Sequence, residues 1–124
     1  MSVHSRNHMI DLNLFSAISS IKTVWLYTLF DLPVLTPGQR KAANGFRRSL
    51  LKDGFSMFQY SVYIRHCASK EQADVHIARV RLMTPPEGMV TVLQVTDKQF
   101  SQMITIYGRK SKPPPPAPMQ MELF

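Results

Sequence analysis

The pattern of hydrophobic and polar residues divides the central part of the chain into short apolar blocks and two amphipathic blocks. Residues 24–30 form an apolar run rich in β-branched and aromatic side chains, which is typical of a buried strand. Asp31 follows at once, and Pro33 cannot continue the interior of a sheet. Because burying a carboxylate is costly, we expect Asp31 at the rim of the sheet. Two interpretations are open: a solvated residue that caps a turn, or a functional acid in a crevice.

Both amphipathic blocks carry helix-capping signals. Residues 36–39 combine a capping threonine, a proline at the first helical position and a glutamine that completes a capping box. They predict a helix over residues 40–52, which Gly54 ends. A second capping box at residues 69–72 begins another helix, and the prolines at 85 and 86 end it.

Four further apolar blocks predict strands: 55–59, 60–65, 89–95 and, last and shortest, 103–107. The alternation slips near residues 59–60, which indicates a tight hairpin or a strongly bent strand. The order of elements fits an α+β fold, ferredoxin-like βαββαβ with an extra C-terminal strand.

One face of such a sheet is left open, because both helices of the ferredoxin-like fold pack on the other face. Trp25 or Tyr27 would lie on the open face with other apolar side chains. An exposed apolar face favours a partner, and a homodimer formed through it is the simplest arrangement.

Composition limits the class of protein. The 124 residues suit one domain, and the apolar fraction of 44% indicates a folded chain. A single cysteine, Cys67, excludes an intrachain disulfide and a cysteine-cluster metal site, which fits a cytoplasmic protein. The apolar pieces on either side of Lys22 are shorter than the roughly 20 residues that cross a membrane, so no membrane partner is expected.

Both ends of the chain differ from the domain predicted over residues 23–110. Residues 1–22 are interpreted as an N-terminal extension outside the core fold, or as an over-long start with Met9 as the true beginning. Residues 111–124 form a proline-rich arm, in which four consecutive prolines predict a stiff polyproline II spacer. The arm ends in apolar side chains that suit partner docking, the alternative being a frayed terminus. These docking residues are Met119, Met121, Leu123 and Phe124.

The net charge of +7 favours an anionic partner, with nucleic acid first. Residues 40–81 hold nine Lys and Arg against three Asp and Glu, a balance that suits phosphate contacts with little sequence preference. The alternative is a solvated basic face. The candidate nucleic-acid-binding residues are Arg40, Lys41, Arg47, Arg48, Lys52, Arg65, Arg79 and Arg81.

Asp31 is the one strong candidate for chemistry. The four histidines show no zinc-ligand spacing, and the chain has no phosphate-binding glycine loop or nucleophile elbow. One carboxylate is too little for a metal nuclease, but a two-fold axis near Asp31 would supply a second. Mg²⁺ accepts one or two carboxylates plus waters and can activate a water against a phosphodiester. Asp31 is therefore the candidate catalytic and metal-binding residue, shared across the dimer.

Several segments together resemble a known family. They are Phe30–Pro33, Leu50–Phe55, Gln59–Tyr63, Ile64–Ser69, Val95–Phe100 and the terminal Glu122–Phe124. In this order they resemble the second of the CRISPR-associated protein families, the small dimeric subunit of the spacer-acquisition complex, in its type II-like members. The resemblance begins at about Val24 and does not cover residues 1–22.

The resemblance implies a ferredoxin-like homodimer in which Asp31 is the divalent-metal aspartate. It implies a Mg²⁺-dependent endonuclease acting on RNA or DNA. It also implies a bridge between two dimers of the integrase subunit, which holds duplex DNA for insertion into the CRISPR array. We rank the bridging role above hydrolysis. The basic charge and the docking tail favour the bridge, whereas Asp31 alone favours hydrolysis.

Three other functions are open. A small RNA-binding module shares the predicted topology, although the chain lacks the Gly-aromatic-Val-aromatic strand signature of that module. A stand-alone toxin-type metal-dependent ribonuclease would need no docking tail. A ferredoxin-like ligand sensor would need a ligand site, and none is apparent in the sequence.

Overall fold

The computed structural model describes residues 23–111 as a four-stranded antiparallel sheet with two long helices and one short helix. The elements are β1 (Val24–Asp31), α1 (Pro37–Lys52), β2 (Ser56–Gln59), β3 (Val62–Cys67), α2 (Lys70–Met83), β4 (Met89–Thr96) and α3 (Asp97–Ser101). The predicted extension at residues 1–22 and the docking residues at 119–124 lie outside the described residues.

Local capping chemistry sets the bounds of α1. The Thr36 hydroxyl accepts a hydrogen bond from the Gln39 N–H (3.1 Å), and the Gln39 side-chain oxygen accepts one from the Thr36 N–H (3.0 Å). This capping box starts the helix at Pro37, three residues before the predicted Arg40. The helix ends where Gly54 adopts a φ of +90°, a left-handed conformation that glycine tolerates.

The sheet has the order β2-β3-β1-β4, so β1 lies between two antiparallel neighbours. Strands β2 and β3 form a hairpin with a bulge between Met57 and Gln59, and residues 60–61 make the turn. The hairpin alternative for the slip in alternation is therefore confirmed.

Both long helices pack on one face of the sheet. The buried core joins Leu26 and Phe30 of β1 to Phe46 and Leu50 of α1 and to Val80 of α2. Because side chains alternate along a strand, the residues between Leu26 and Phe30 point in turn to the core and to the opposite face. The α+β class with helices on one face of an antiparallel sheet is confirmed.

The extra C-terminal strand does not form in the described chain. Residues 103–107 have no regular secondary structure, and the side chains of Ile104 and Ile106 are more than four-fifths exposed. A capping box between Thr96 and Gln99 turns the backbone into α3 directly after β4. A strand also needs a neighbour to satisfy its backbone groups, and residues 103–107 find none among residues 23–111.

None of the helices formed by residues 23–111 is long and apolar enough to cross a bilayer.

Candidate acidic site and nucleic-acid interface

Asp31 lies at the end of the central strand, on the face opposite the helices. Its backbone pairs with Met89 of β4, and its side chain is exposed. Asp31 lines a shallow depression of about 300 Å³. Leu29, Ser61, Val62 and Met89 also line it. Asp31 was predicted at the rim of the sheet, and it is the last residue of β1 with an exposed side chain.

Gly88 allows the chain to pass closely behind Asp31. Its φ is +101°, and a Cβ atom there would lie 2.7 Å from the Asp31 carbonyl oxygen and 2.7 Å from a methyl carbon of Leu32. Real Cβ atoms do not approach this closely, so the position requires glycine. The turn before β4 thereby holds the end of β1 in place.

Asp31 belongs to no larger cluster of possible metal ligands among the residues that the structure describes. Within residues 23–111, no group of three or more His, Cys, Asp or Glu side chains could hold a metal ion. Cys67 is fully buried, and burial raises the pKa of its thiol, so it is no accessible ligand or nucleophile. A metal site at Asp31 would need ligands from outside the described chain.

Exposed apolar side chains lie on the same sheet face as Asp31. The exposed fractions are 38% for Leu29, 66% for Met89 and 51% for Leu93. In the sheet register, Leu29 and Asp31 of β1 alternate with residues that point into the core, and Met89 lies opposite Asp31. The uncovered patch is therefore centred on the Asp31 end of the sheet.

Trp25 lies on the predicted sheet face, but helix α3 covers this end of the face, so Trp25 is not exposed as predicted. Phe100 stacks on Trp25 with a centroid distance of 3.8 Å and an interplanar angle of 3°, which leaves Trp25 only 2% exposed. Asp97 accepts a hydrogen bond from the Trp25 indole N–H (2.9 Å), and the Tyr27 hydroxyl donates to the Met103 sulfur (2.7 Å). The sequence pattern that could have predicted α3 is the capping box at its start.

Two of the predicted basic residues on α1 contact the loops beside the helix. Arg47 is half-buried, and its guanidinium lies 3.9 Å from the Tyr60 ring centroid and 5.1 Å from that of Phe30. Arg40 donates to the carbonyl oxygens of Val34 (3.1 Å) and Leu35 (3.2 Å). Both side chains stabilise local structure and keep their charge near the surface.

Arg65 and Arg79 surround a nearly buried acid, Asp53, that sequence reasoning did not single out. Arg79 donates to one Asp53 carboxylate oxygen (2.8 Å), and His76 Nδ1 donates to the other (2.7 Å). Arg65 donates to the Asp53 carbonyl oxygen (2.8 Å). These contacts join the end of α1 to β3 and α2, so both arginines have structural partners.

Burial alone would raise the pKa of the Asp53 carboxyl, but the hydrogen bonds from His76 and Arg79 outweigh it, so the pKa lies below its ordinary value of 3.8. The ionised carboxylate can only accept hydrogen bonds, so Nδ1 of His76 carries the hydrogen. One signal could have revealed this contact: His76 falls on the helix face that also carries Ala73 and Val80, and that face is buried.

The remaining basic candidates lie free on the surface. Lys41, Arg48, Lys52 and Arg81 are exposed and form no ion pair with any residue between 23 and 111. Helix α1 carries five Lys and Arg and no acidic residue. The structure thus divides the eight predicted cations into four with internal contacts and four that remain available.

Comparison with known proteins agrees with this architecture. The family model described as "CRISPR associated protein Cas2" matches residues 24–103. A protein of Flavobacterium psychrophilum is 46% identical over 110 residues, which cover 89% of this chain and 96% of that protein. A protein of Parvibaculum lavamentivorans is 48% identical over 101 residues, which cover 82% of this chain and all of that protein. Both are named "CRISPR-associated endoribonuclease Cas2".

A solved structure described as "Crystal structure of cas2" shares the fold. It superposes with a TM-score of 0.52 at 21% identity and covers 73% of this chain and 93% of that one. The family match extends over more than half of the chain, and both relatives exceed 40% identity over most of it. The chain therefore belongs to the Cas2 family of CRISPR-associated proteins.

Proposed function

We propose that this chain acts in CRISPR adaptation as a homodimeric bridge that binds the integrase subunit and duplex DNA for spacer integration. The observation that carries the proposal is the charge of α1, which presents five cations and no acid along 16 residues. Three of these, Lys41, Arg48 and Lys52, are exposed without an ion pair among the described residues. A surface of one sign attracts the phosphate backbone without reading the base sequence.

The dimer is supported by the sheet face around Asp31. Exposed Leu29, Met89 and Leu93 lie on this face, and removing apolar surface from water contributes about 25 cal/mol per Å² before the entropic costs of association are subtracted. A two-fold axis near this patch would place two copies of Asp31 and two copies of α1 in one assembly. Duplication of α1 gives a longer cationic surface, which suits a duplex better than one helix does.

Mg²⁺ is the proposed cofactor of the acidic site. The oxygen donors of Asp31 fit a hard cation, but residues 23–111 form no group of three or more possible metal ligands, so the proposed site depends on the dimer. Asp31 from each protomer would hold the ion, with water in its other positions. When bound, the metal would activate a water and polarise the phosphodiester. Asp31 would also orient the bound water, since it lies on a strand end fixed by the Gly88 turn.

The first test is light scattering after size-exclusion chromatography, with the protein alone and then with the integrase encoded beside it and a DNA duplex. We expect a mass twice the 14.2 kDa of one chain for the free protein, and a larger complex with two integrase dimers in the mixture. A dimer that ignores the integrase and the duplex would contradict the bridging function.

Nuclease activity is the second candidate function, and the names of the relatives support RNA as one substrate. We expect Asp31→Ala to abolish Mg²⁺-dependent cleavage of RNA or DNA, while the dimer and its affinity for duplex DNA persist. The matched control is Glu87→Gln, which removes another exposed carboxylate from the turn beside Gly88. Cleavage that survives in Asp31→Ala would place the activity at another site or in a contaminant.

A further inference from the structure

The turn between β2 and β3 presents an exposed aromatic ring beside the acidic site. Tyr60 is 69% exposed although it is a large aromatic residue. The turn is anchored to β1, because the Phe30 N–H donates to the Ser61 carbonyl oxygen (3.1 Å). Ser61 also lines the depression that contains Asp31. The ring of Tyr60 is therefore carried by a turn that borders the candidate acidic site.

Arg47 holds this ring from one side. Its guanidinium lies 3.9 Å from the Tyr60 ring centroid, a distance at which cation–π attraction is effective. Its Nε donates to the Tyr60 carbonyl oxygen (3.4 Å) and its Nη2 to the Ser61 hydroxyl (3.3 Å). The Phe30 ring, 5.1 Å from the guanidinium carbon, gives Arg47 a second aromatic neighbour. These contacts with Arg47 order the Tyr60 ring. Because Tyr60 is highly exposed, the face of the ring that points away from Arg47 is open.

The charge around the ring favours an anionic ligand with a flat group. Arg47 forms no ion pair with a residue between 23 and 111, so its charge is not neutralised there. Arg48 follows on the same helix with an exposed side chain. A nucleotide combines a phosphate, which these cations attract, with a base that stacks on an aromatic face.

We infer that Tyr60, held by Arg47, is a stacking site for an unpaired nucleobase in a single-stranded segment of bound nucleic acid. This inference rests on the proposed nucleic-acid binding and adds to it a place for a strand that has left the duplex. Since every base offers a π face, the site would accept any of them. A base on Tyr60 would bring its neighbouring phosphates to the end of the sheet that carries Asp31.

The test compares two fluorescent probes: a DNA duplex with a three-nucleotide overhang and the same duplex with abasic sites in the overhang. We expect the wild-type protein to bind the base-bearing probe about tenfold more tightly, as one stacked base is typically worth. Tyr60→Ala should remove this preference, whereas Tyr60→Phe should retain it because the ring is kept. Tyr107→Ala, which removes another exposed tyrosine, is the matched control.

Each other result has a definite meaning. Equal affinity of the wild-type protein for both probes would overturn the inference and leave the proposed duplex binding intact. Failure of both probes to bind would contradict the proposed function and the inference together. Conversion of the dimer to monomers by Tyr60→Ala, measured by light scattering, would assign the ring to self-association and overturn the inference.

Discussion

Asp53 shows how one residue can decide the role of its neighbours. Its side chain is only 9% exposed, yet it remains ionised because His76 and Arg79 donate hydrogen bonds to it. Its backbone caps α1, and its carbonyl oxygen accepts from Arg65. Two arginines that look like nucleic-acid ligands in the sequence are therefore held by one acid.

We expect Asp53→Asn to lower the free energy of unfolding by about 1–3 kcal/mol, because buried His76 and the exposed Arg79 lose their charged acceptor. The pKa of Asp53 is lower in the folded chain than its ordinary value of 3.8. Its stabilisation is therefore present above pH 3.8 and is lost as the pH falls through the folded-state pKa. Urea unfolding between pH 7 and pH 3 should show the wild-type advantage at neutral pH and its loss in acid.

The matched control for this prediction is Asp74→Asn. Asp74 pairs with Lys70 at 3.4 Å on the exposed side of α2, and surface ion pairs contribute little. The control should unfold at nearly the wild-type urea concentration. An Asp53→Asn protein that matches the control at every pH would show that the buried contacts do not stabilise the fold.

At the scale of the element, α1 has two faces with separate tasks. Ala43, Phe46 and Leu50 are buried against the sheet, and capping contacts hold both helix ends. The opposite side carries Lys41 and Arg48 into solvent. Since the core contacts lie on the other face, exposed cations of α1 can be changed with little effect on folding.

We expect the triple variant Lys41→Gln/Arg48→Gln/Lys52→Gln to weaken duplex DNA binding at physiological salt and to flatten its salt dependence. Each phosphate contact that is lost should reduce the slope of log affinity against log salt by about one. Fluorescence anisotropy at several salt concentrations measures both quantities.

The control for the α1 variant removes the same charge elsewhere: Lys70→Gln/Lys98→Gln/Lys110→Gln changes exposed lysines of α2, α3 and the C-terminal segment. If both triple variants have the same affinity and slope, net charge and not the surface of α1 governs binding. A wild-type affinity independent of salt would contradict phosphate contact altogether.

At the scale of the whole molecule, the proposed bridge needs one surface for nucleic acid and another for the integrase. We propose that the second lies in the arm that ends with Met119, Met121, Leu123 and Phe124, which are outside the described residues. The core of the described domain is complete between β1 and β4. The arm can therefore be removed without loss of any core residue seen in the structure.

We expect deletion of residues 113–124 to leave a folded dimer with reduced binding to the integrase. Thermal unfolding, light scattering and co-elution with the integrase measure the three properties. Replacing the four docking residues by serine keeps the proline spacer and should reproduce the loss. Unchanged co-elution of the shortened protein would contradict the docking role of the arm.

Much of the fold could be predicted because its signals lie within a few residues of one another. The capping signals at Thr36 and Ser69 identify two helix starts, although only Thr36 forms the full capping box, and Asp31 follows an unmistakable apolar run. The order of these elements was enough for the α+β class. The candidate site was predictable to the same degree, since the position of Asp31 follows from the end of β1.

The sequence by itself determined the two long helices, the four strands of the sheet, their order, the basic charge and the position of Asp31 at the strand end. Only the tertiary structure decided that Phe100 covers Trp25, that residues 103–107 find no strand neighbour in the described chain, and that Asp53 engages Arg79. The physical reason is the same in each case. Capping and alternation act between near neighbours in the chain, whereas burial, pairing and ion contacts join residues that only folding brings together.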